Sequence, residues 1–174
     1  MEIKLPQTHK ASLTTDGENV DGRLLRFSDH HQTLCAGLTS NMGKREIKHP
    51  DKEKSTGAYS AAVEVDGWVL VSGQGPVDPK TAQPVRGTIE EETLYTLKQV
   101  QKILEAAGCT LNDVVKSTVH LADIEDFDRY NATYKDFFKG VAVLPARTTV
   151  QSVLWNAIKV EIDVVARKSL SGHS

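Results

Sequence analysis

Near the C-terminal end of the chain, Val160, Ile162 and Val164 alternate with Glu161 and Asp163. A period of two is the pattern of a strand with one buried face. The segment 144–149 before it, Leu-Pro-Ala-Arg-Thr-Thr, also reads as a strand. It is entered through Pro145, because a missing N–H is tolerated at a strand's first residue. If the two are neighbours in one sheet, a guanidinium and a carboxylate can end up in the same cleft, one able to bind a small carboxylate and act on a group beside it. Upstream, residues 61–65 and 68–72 are apolar runs separated by Asp66-Gly67. That dipeptide is the preferred two-residue hairpin turn, since both central residues take a positive φ. Residues 73–84, built on Gly, Pro and Asp, read as a loop.

Thr88 with Glu91 three residues later makes a capping box. From there Ile89, Leu94, Leu97, Val100, Leu104 and Ala107 fall near one helical face, which Gly108 ends. Val114 to Leu121 is β-branched and predicts a strand. A second helix is expected over 124–139, with Phe127, Tyr130, Tyr134 and Phe137 at helical spacing and Gly140 closing it. Order is expected to begin near Ala61. The element order is then β-β-α-β-α-β-β, an α+β fold with a single sheet and two helices packed on one face. The other face needs cover from another subunit.

Composition narrows the class. The chain has 174 residues, 39% of them apolar, and a net charge of −2. This suits one domain with a proper core plus an extension. The balance argues against broad electrostatic binding of nucleic acid, which needs a basic face. Cys35 and Cys109 lie far apart and form no CxxC pair, as expected in a reducing compartment. No apolar run approaches the roughly 20 residues of a membrane span. The acidic residues Glu2, Asp16, Glu18, Asp21 and Asp29 speak against a transit peptide, so a cytoplasmic protein is expected. No metal site is expected: His30 and His31 are adjacent, and no Cys or carboxylate cluster has ligand spacing. Residues 1–44 are polar, without sustained periodicity, and read as a weakly ordered extension. Their apolar clusters, Leu24-Leu25 with Phe27 and Leu34 to Ala36, are the competing reason to expect docking on the core or on a neighbouring subunit. A domain over 45–168 and a short tail over 169–174 follow.

Five segments in order resemble the RidA/YjgF family of imine deaminases. They are Gly57-Ala58-Tyr59-Ser60, residues 71–81 (Val-Ser-Gly-Gln-Gly-Pro-Val-Asp-Pro-Lys-Thr), residues 130–138 (Tyr-Asn-Ala-Thr-Tyr-Lys-Asp-Phe-Phe), and the two C-terminal strands. The resemblance implies a chorismate-mutase-like fold, a homotrimer with sites at subunit interfaces, and a domain beginning near Arg45. It implies no cofactor and a small imino or keto acid as ligand. In this family the arginine matching Arg147 holds the substrate carboxylate, a task that suits a planar guanidinium. From the residues alone, an ion pair of Arg147 with Glu161 or Asp163 stays open. The resemblance makes Glu161 the carboxylate that orients water, where the strand pattern alone would make it a solvated charge. Tyr59, Ser72, Gly73, Asn131 and Thr149 match positions that line the pocket. Asn131 reads equally as a helix-to-strand hydrogen bond that positions it. Thr149 stands where the family often has cysteine. Ala58 and Ala61 replace a proline and a glutamine. Residues 154–157, Leu-Trp-Asn-Ala, lack the usual Leu-Pro, and Trp155 is expected to cap or narrow a neighbouring subunit's pocket.

The leading expectation is hydrolysis of 2-aminoacrylate or 2-imino acids to 2-keto acids and ammonia. The alternatives are a non-catalytic module that binds small carboxylates or a protein partner, and a ribonuclease or translation inhibitor. The last is disfavoured by the charge balance and by the lack of a His/Lys acid–base set.

Overall fold

A computed structural model describes residues 43–52 and 57–168. The expectations for the extension, including docking through Leu24, Leu25 and Phe27, and for the C-terminal tail lie outside the described residues. The described strands are β1 (Arg45–Ile47), β2 (Ala62–Val65), β3 (Trp68–Gln74), β4 (Val114–Leu121), β5 (Ala146–Gln151) and β6 (Val160–Arg167). They form one mixed sheet in the order β1-β2-β3-β6-β4-β5. Helices α1 (Ile89–Ala106) and α2 (Phe127–Phe137) cover one face.

The hairpin forms as the sequence requires. Asp66 and Gly67 take φ of 50° and 75°, and Val65 pairs with Trp68 across the turn. β6 runs antiparallel to both β3 and β4, so β3 and β4 are mutually parallel with β6 slotted between them. β4 and β5 pair in parallel, which requires a crossover, and α2 supplies it.

Several expectations need correction. Ordered structure starts before Ala61: β1 pairs with β2, Arg45 opposite Glu64. Three residues, two of them charged, are too few to show alternation. The loop expected from Gly73 begins later, because β3 continues to Gln74. Phe127 does begin α2, but 124–126 form a separate 3₁₀ turn capped by Asp123. The buried aromatic row there is Tyr130, Tyr134 and Phe138, which keeps strict i, i+4, i+8 spacing; Phe137 is only partly buried. Leu94 is exposed. It lies about 60° of helix rotation beyond Leu97, off the covered arc. The arc also carries polar side chains, with Thr93 buried in its middle and Thr96, Glu92 and Gln99 buried toward its other flank.

The predicted capping box is present. The Thr88 hydroxyl accepts from the Glu91 N–H at 3.3 Å, and the Thr88 N–H donates to Glu91 Oε2 at 2.8 Å. Buried Glu92 fastens this helix start to the entry of β6. Its Oε2 accepts from the Lys159 N–H at 2.8 Å and its Oε1 from Lys159 Nζ at 3.1 Å. The helix-covered face holds the core, with Val160, Ile162 and Val164 of β6 facing Leu97, Val100 and Leu104 of α1. The opposite face carries Leu70, Val115 and Val150, each well exposed in the single chain. Among the described residues, no helix is long and apolar enough to cross a membrane.

Candidate functional site

β5 and β6 are not neighbours; β4 lies between them. Arg147 pairs in register with Ser117, which is buried on the helix side. Glu161 pairs with His120 and alternates with buried Val160 and Ile162, so it faces the helix-free side. The arginine and the glutamate of one chain therefore lie on opposite faces of the sheet, and the single cleft anticipated for them is not formed within one chain. The ion pair is absent too: among the described residues no carboxylate pairs with Arg147.

The structure instead assembles two groups of the expected residues. The first surrounds Glu161. Opposite the Val164–Ile162 step of β6, β3 spends three residues from Val71 to Gln74 where two would suffice. The extra residue is a β-bulge, a device that bends a strand and re-aims a side chain. Gly73 sits in it. A methyl group there would lie 2.5 Å from Glu161 Oε1, so glycine lets the carboxylate lie directly over the backbone in this rotamer, and a larger residue would make it shift. The Ser72 hydroxyl donates to the Ser60 carbonyl at 2.7 Å and the Ser72 N–H to the Ala61 carbonyl at 3.0 Å. These bonds tie the bulge to the segment carrying Tyr59. Tyr59, Gly73 and Glu161 line one cavity of about 690 Å³.

The second group surrounds Arg147. Its Nη2 donates to Asn131 Oδ1 at 2.7 Å. Its guanidinium carbon lies 4.6 Å from the ring centre of Tyr134, 5.3 Å from Tyr130 and 5.9 Å from Phe127. These rings pack edge to face along α2. Guanidinium planes stack well on aromatic faces, so the charge is held on a rigid shelf. A guanidinium has five N–H donors, and Asn131 accepts one; a bidentate carboxylate can take two others. Asn131 thus makes the helix-to-strand bond that was one of its two readings. The Thr149 hydroxyl stands 3.5 Å from that of Tyr130. Burial pushes the phenols of Tyr130 and Tyr134 above the ordinary tyrosine value, so both stay neutral beside the cation.

The sequence reading missed two residues of the first cavity. His49 and Gln99, both buried, line it. The Asp51 N–H donates to His49 Nδ1 at 3.1 Å, and His49 Nε2 lies 3.0 Å from Gln99 Oε1. The first bond leaves Nε2 as the protonated nitrogen. His49 carries no local signal, because its partner lies 50 positions away. Trp155, expected to cap or narrow a neighbouring subunit's pocket, lines this cavity in the single chain. Among the described residues, no group of three or more His, Cys, Asp or Glu could hold a metal ion.

Known proteins are similar to this chain in sequence and fold. A family model described as Endoribonuclease L-PSP matches residues 50–168. A RutC family protein of Saccharolobus solfataricus is 46% identical over 127 residues, covering 72% of this chain and 99% of the relative. The 2-iminobutanoate/2-iminopropanoate deaminase of Mus musculus is 41% identical over 128 residues, covering 73% and 93%. The crystal structure of E. coli TdcF with bound serine superposes with a TM-score of 0.66 at 32% identity, covering 72% of this chain and 99% of that one. The mixed sheet with two helices on one face is the chorismate-mutase-like arrangement of these proteins.

Proposed function

This chain belongs to the RidA/YjgF family, whose description is Endoribonuclease L-PSP, and on that premise we propose that it hydrolyses 2-imino acids to 2-keto acids and ammonia. The observation that carries this reading is the placement of Glu161 over Gly73, with its carboxylate against bare backbone in a cavity walled by Tyr59. A carboxylate so placed can take a proton from water and return it to a nitrogen.

The chemistry balances without a cofactor. The 2-imino acid is anchored through its carboxylate by Arg147. Water adds to the imine carbon, and Glu161 takes its proton and passes it to the nitrogen. The carbinolamine collapses: the C–N bond breaks, ammonia leaves with the proton of the hydroxyl group, and the C=O bond of the keto acid forms. Since Arg147 and Glu161 occupy opposite faces of one chain, the reaction requires Arg147 of one subunit to meet Glu161 of another. A homotrimer with sites at its interfaces meets this requirement, and the exposed helix-free face supports it. The relative named as a deaminase supports the reaction. The relative crystallised with serine favours a second reading, a module that binds small amino or keto acids without turnover.

A deaminase assay on freshly generated 2-iminopropanoate decides between them. The full chain is expected to accelerate ammonia release, and Arg147→Ala to lose most of that acceleration while keeping its oligomeric state. Removing one partner of a desolvated charge pair costs about 2–5 kcal/mol, roughly 30- to several-thousand-fold in rate. No acceleration by the full chain, or equal turnover by the folded variant, would overturn the assignment.

A further inference from the structure

The turn that precedes β6 is built unusually. Asn156 and Ala157 both take the left-handed region, with φ of 49° and 50°. Asparagine tolerates this region, but at a residue such as Ala157, which has a Cβ and no polar side chain to bond locally, it persists only when the surroundings impose it. Here the imposing group is Arg86, from the loop before α1. Its Nη1 donates to the Ala157 carbonyl at 2.5 Å and its Nη2 to the Asn156 carbonyl at 2.7 Å. Nη2 also lies 3.5 Å from Asn156 Oδ1. One planar fork thus holds two successive carbonyls in a fixed geometry that a lysine's rotatable ammonium does not impose.

What the turn presents is Trp155. The indole is largely exposed, yet it lines the same cavity as Glu161. Next to it the cavity wall is apolar. Ile158 is buried there, packed so closely on Gly75 that a methyl group on that glycine would lie 2.7 Å from Ile158 Cδ1. Val77 completes this end. In the single chain the cavity measures about 690 Å³, the size that encloses a drug-sized ligand and more than the methyl or ethyl side chain of the smallest imino acids fills.

We propose that Trp155 is the specificity wall of this site, selecting imino acids with large apolar side chains, and that Arg86 is the positioning residue that holds it. This rests on the deaminase reading for the reaction but not for the binding preference. The substrate's side chain lies against the indole and Ile158 while its reacting carbon faces Glu161. A bulky side chain covers the exposed indole and gains the burial that a methyl group cannot reach.

The test measures binding and turnover separately, on the full chain. Calorimetric titration with 4-methyl-2-oxopentanoate and with 2-oxobutanoate gives the ratio of their affinities. The wild type is expected to favour the bulky keto acid by about tenfold or more, within the span that a hydrophobic pocket achieves per added group. Trp155→Ala should collapse the ratio to about one, and Trp155→Phe should retain most of it. Arg86→Ala should lower the ratio, and adding it to Trp155→Ala should lower it no further, the non-additivity expected of residues acting through one contact. A ratio near one in the wild type, binding of neither ligand, a ratio unchanged in Trp155→Ala, or additive effects of the two substitutions would overturn the proposal. Selective binding without any deamination of the matching imino acids would uphold the wall and sink the deaminase reading.

Discussion

Glu161 and Asp163 occupy equivalent positions on β6, two residues apart on the same face, yet only Glu161 has a glycine in a bulge beneath it. Glu161→Gln keeps the shape of the side chain but cannot take and return a proton. It should bind a keto acid about as well as wild type while kcat falls roughly 10²- to 10⁴-fold. Unchanged kcat in steady-state kinetics would make Glu161 a strand charge only. His49 gives a second expectation. Burial holds its imidazole below the ordinary value, with the Gln99 hydrogen bond opposing. The unfolded chain therefore takes up that proton first as pH falls. Stability is intact above about pH 6.5 and declines below it, down to the lowered folded value. Melting curves between pH 7.5 and 5 should show a steeper loss for wild type than for His49→Gln; parallel curves would remove His49 from the account. That Arg147 and Glu161 are candidate site residues was legible from motif context. Their separation was not, because alternation along each strand reveals which residues share a face only after the strand order is known. His49 and Gln99 were illegible for a similar reason: a buried pair 50 residues apart leaves no local pattern.

Most elements could be read from periodicity and punctuation. The Asp66-Gly67 hairpin, the capped start of α1, and β4 lie where the sequence puts them. β1 escaped because three residues cannot display a period. The extra residue near Gly73 escaped because a glycine at a strand end reads equally as the start of a loop. The capping box at α1 makes a quantitative claim possible. Thr88→Ala removes the acceptor for the Glu91 N–H at an exposed helix start, and should cost about 0.5–2 kcal/mol of stability. Denaturant titration should show a lower midpoint with an unchanged slope, since the surface exposed on unfolding stays the same. A midpoint equal to wild type would mean that Glu92 and Lys159 hold the helix start by themselves.

At the scale of the molecule, the architecture was the most legible level, since two amphipathic helices and a set of strands can bury their apolar faces in few ways. What composition and periodicity left out is that the sheet is mixed. β6, which carries Glu161, lies in the interior of the sheet, with antiparallel partners on both sides. β5, which carries Arg147, is an edge strand bonded on one side only, in the less stable parallel pairing. Local opening of a native chain begins where backbone bonds are fewest and most exposed. The amide hydrogens of β5 should therefore exchange with deuterium well before those of β6 when the protein is dilute, and slow markedly once a second chain lies along that edge. Under the proposed function, the guanidinium half of the site is then the half that loosens first, and a bound carboxylate would slow exchange there more than around Glu161.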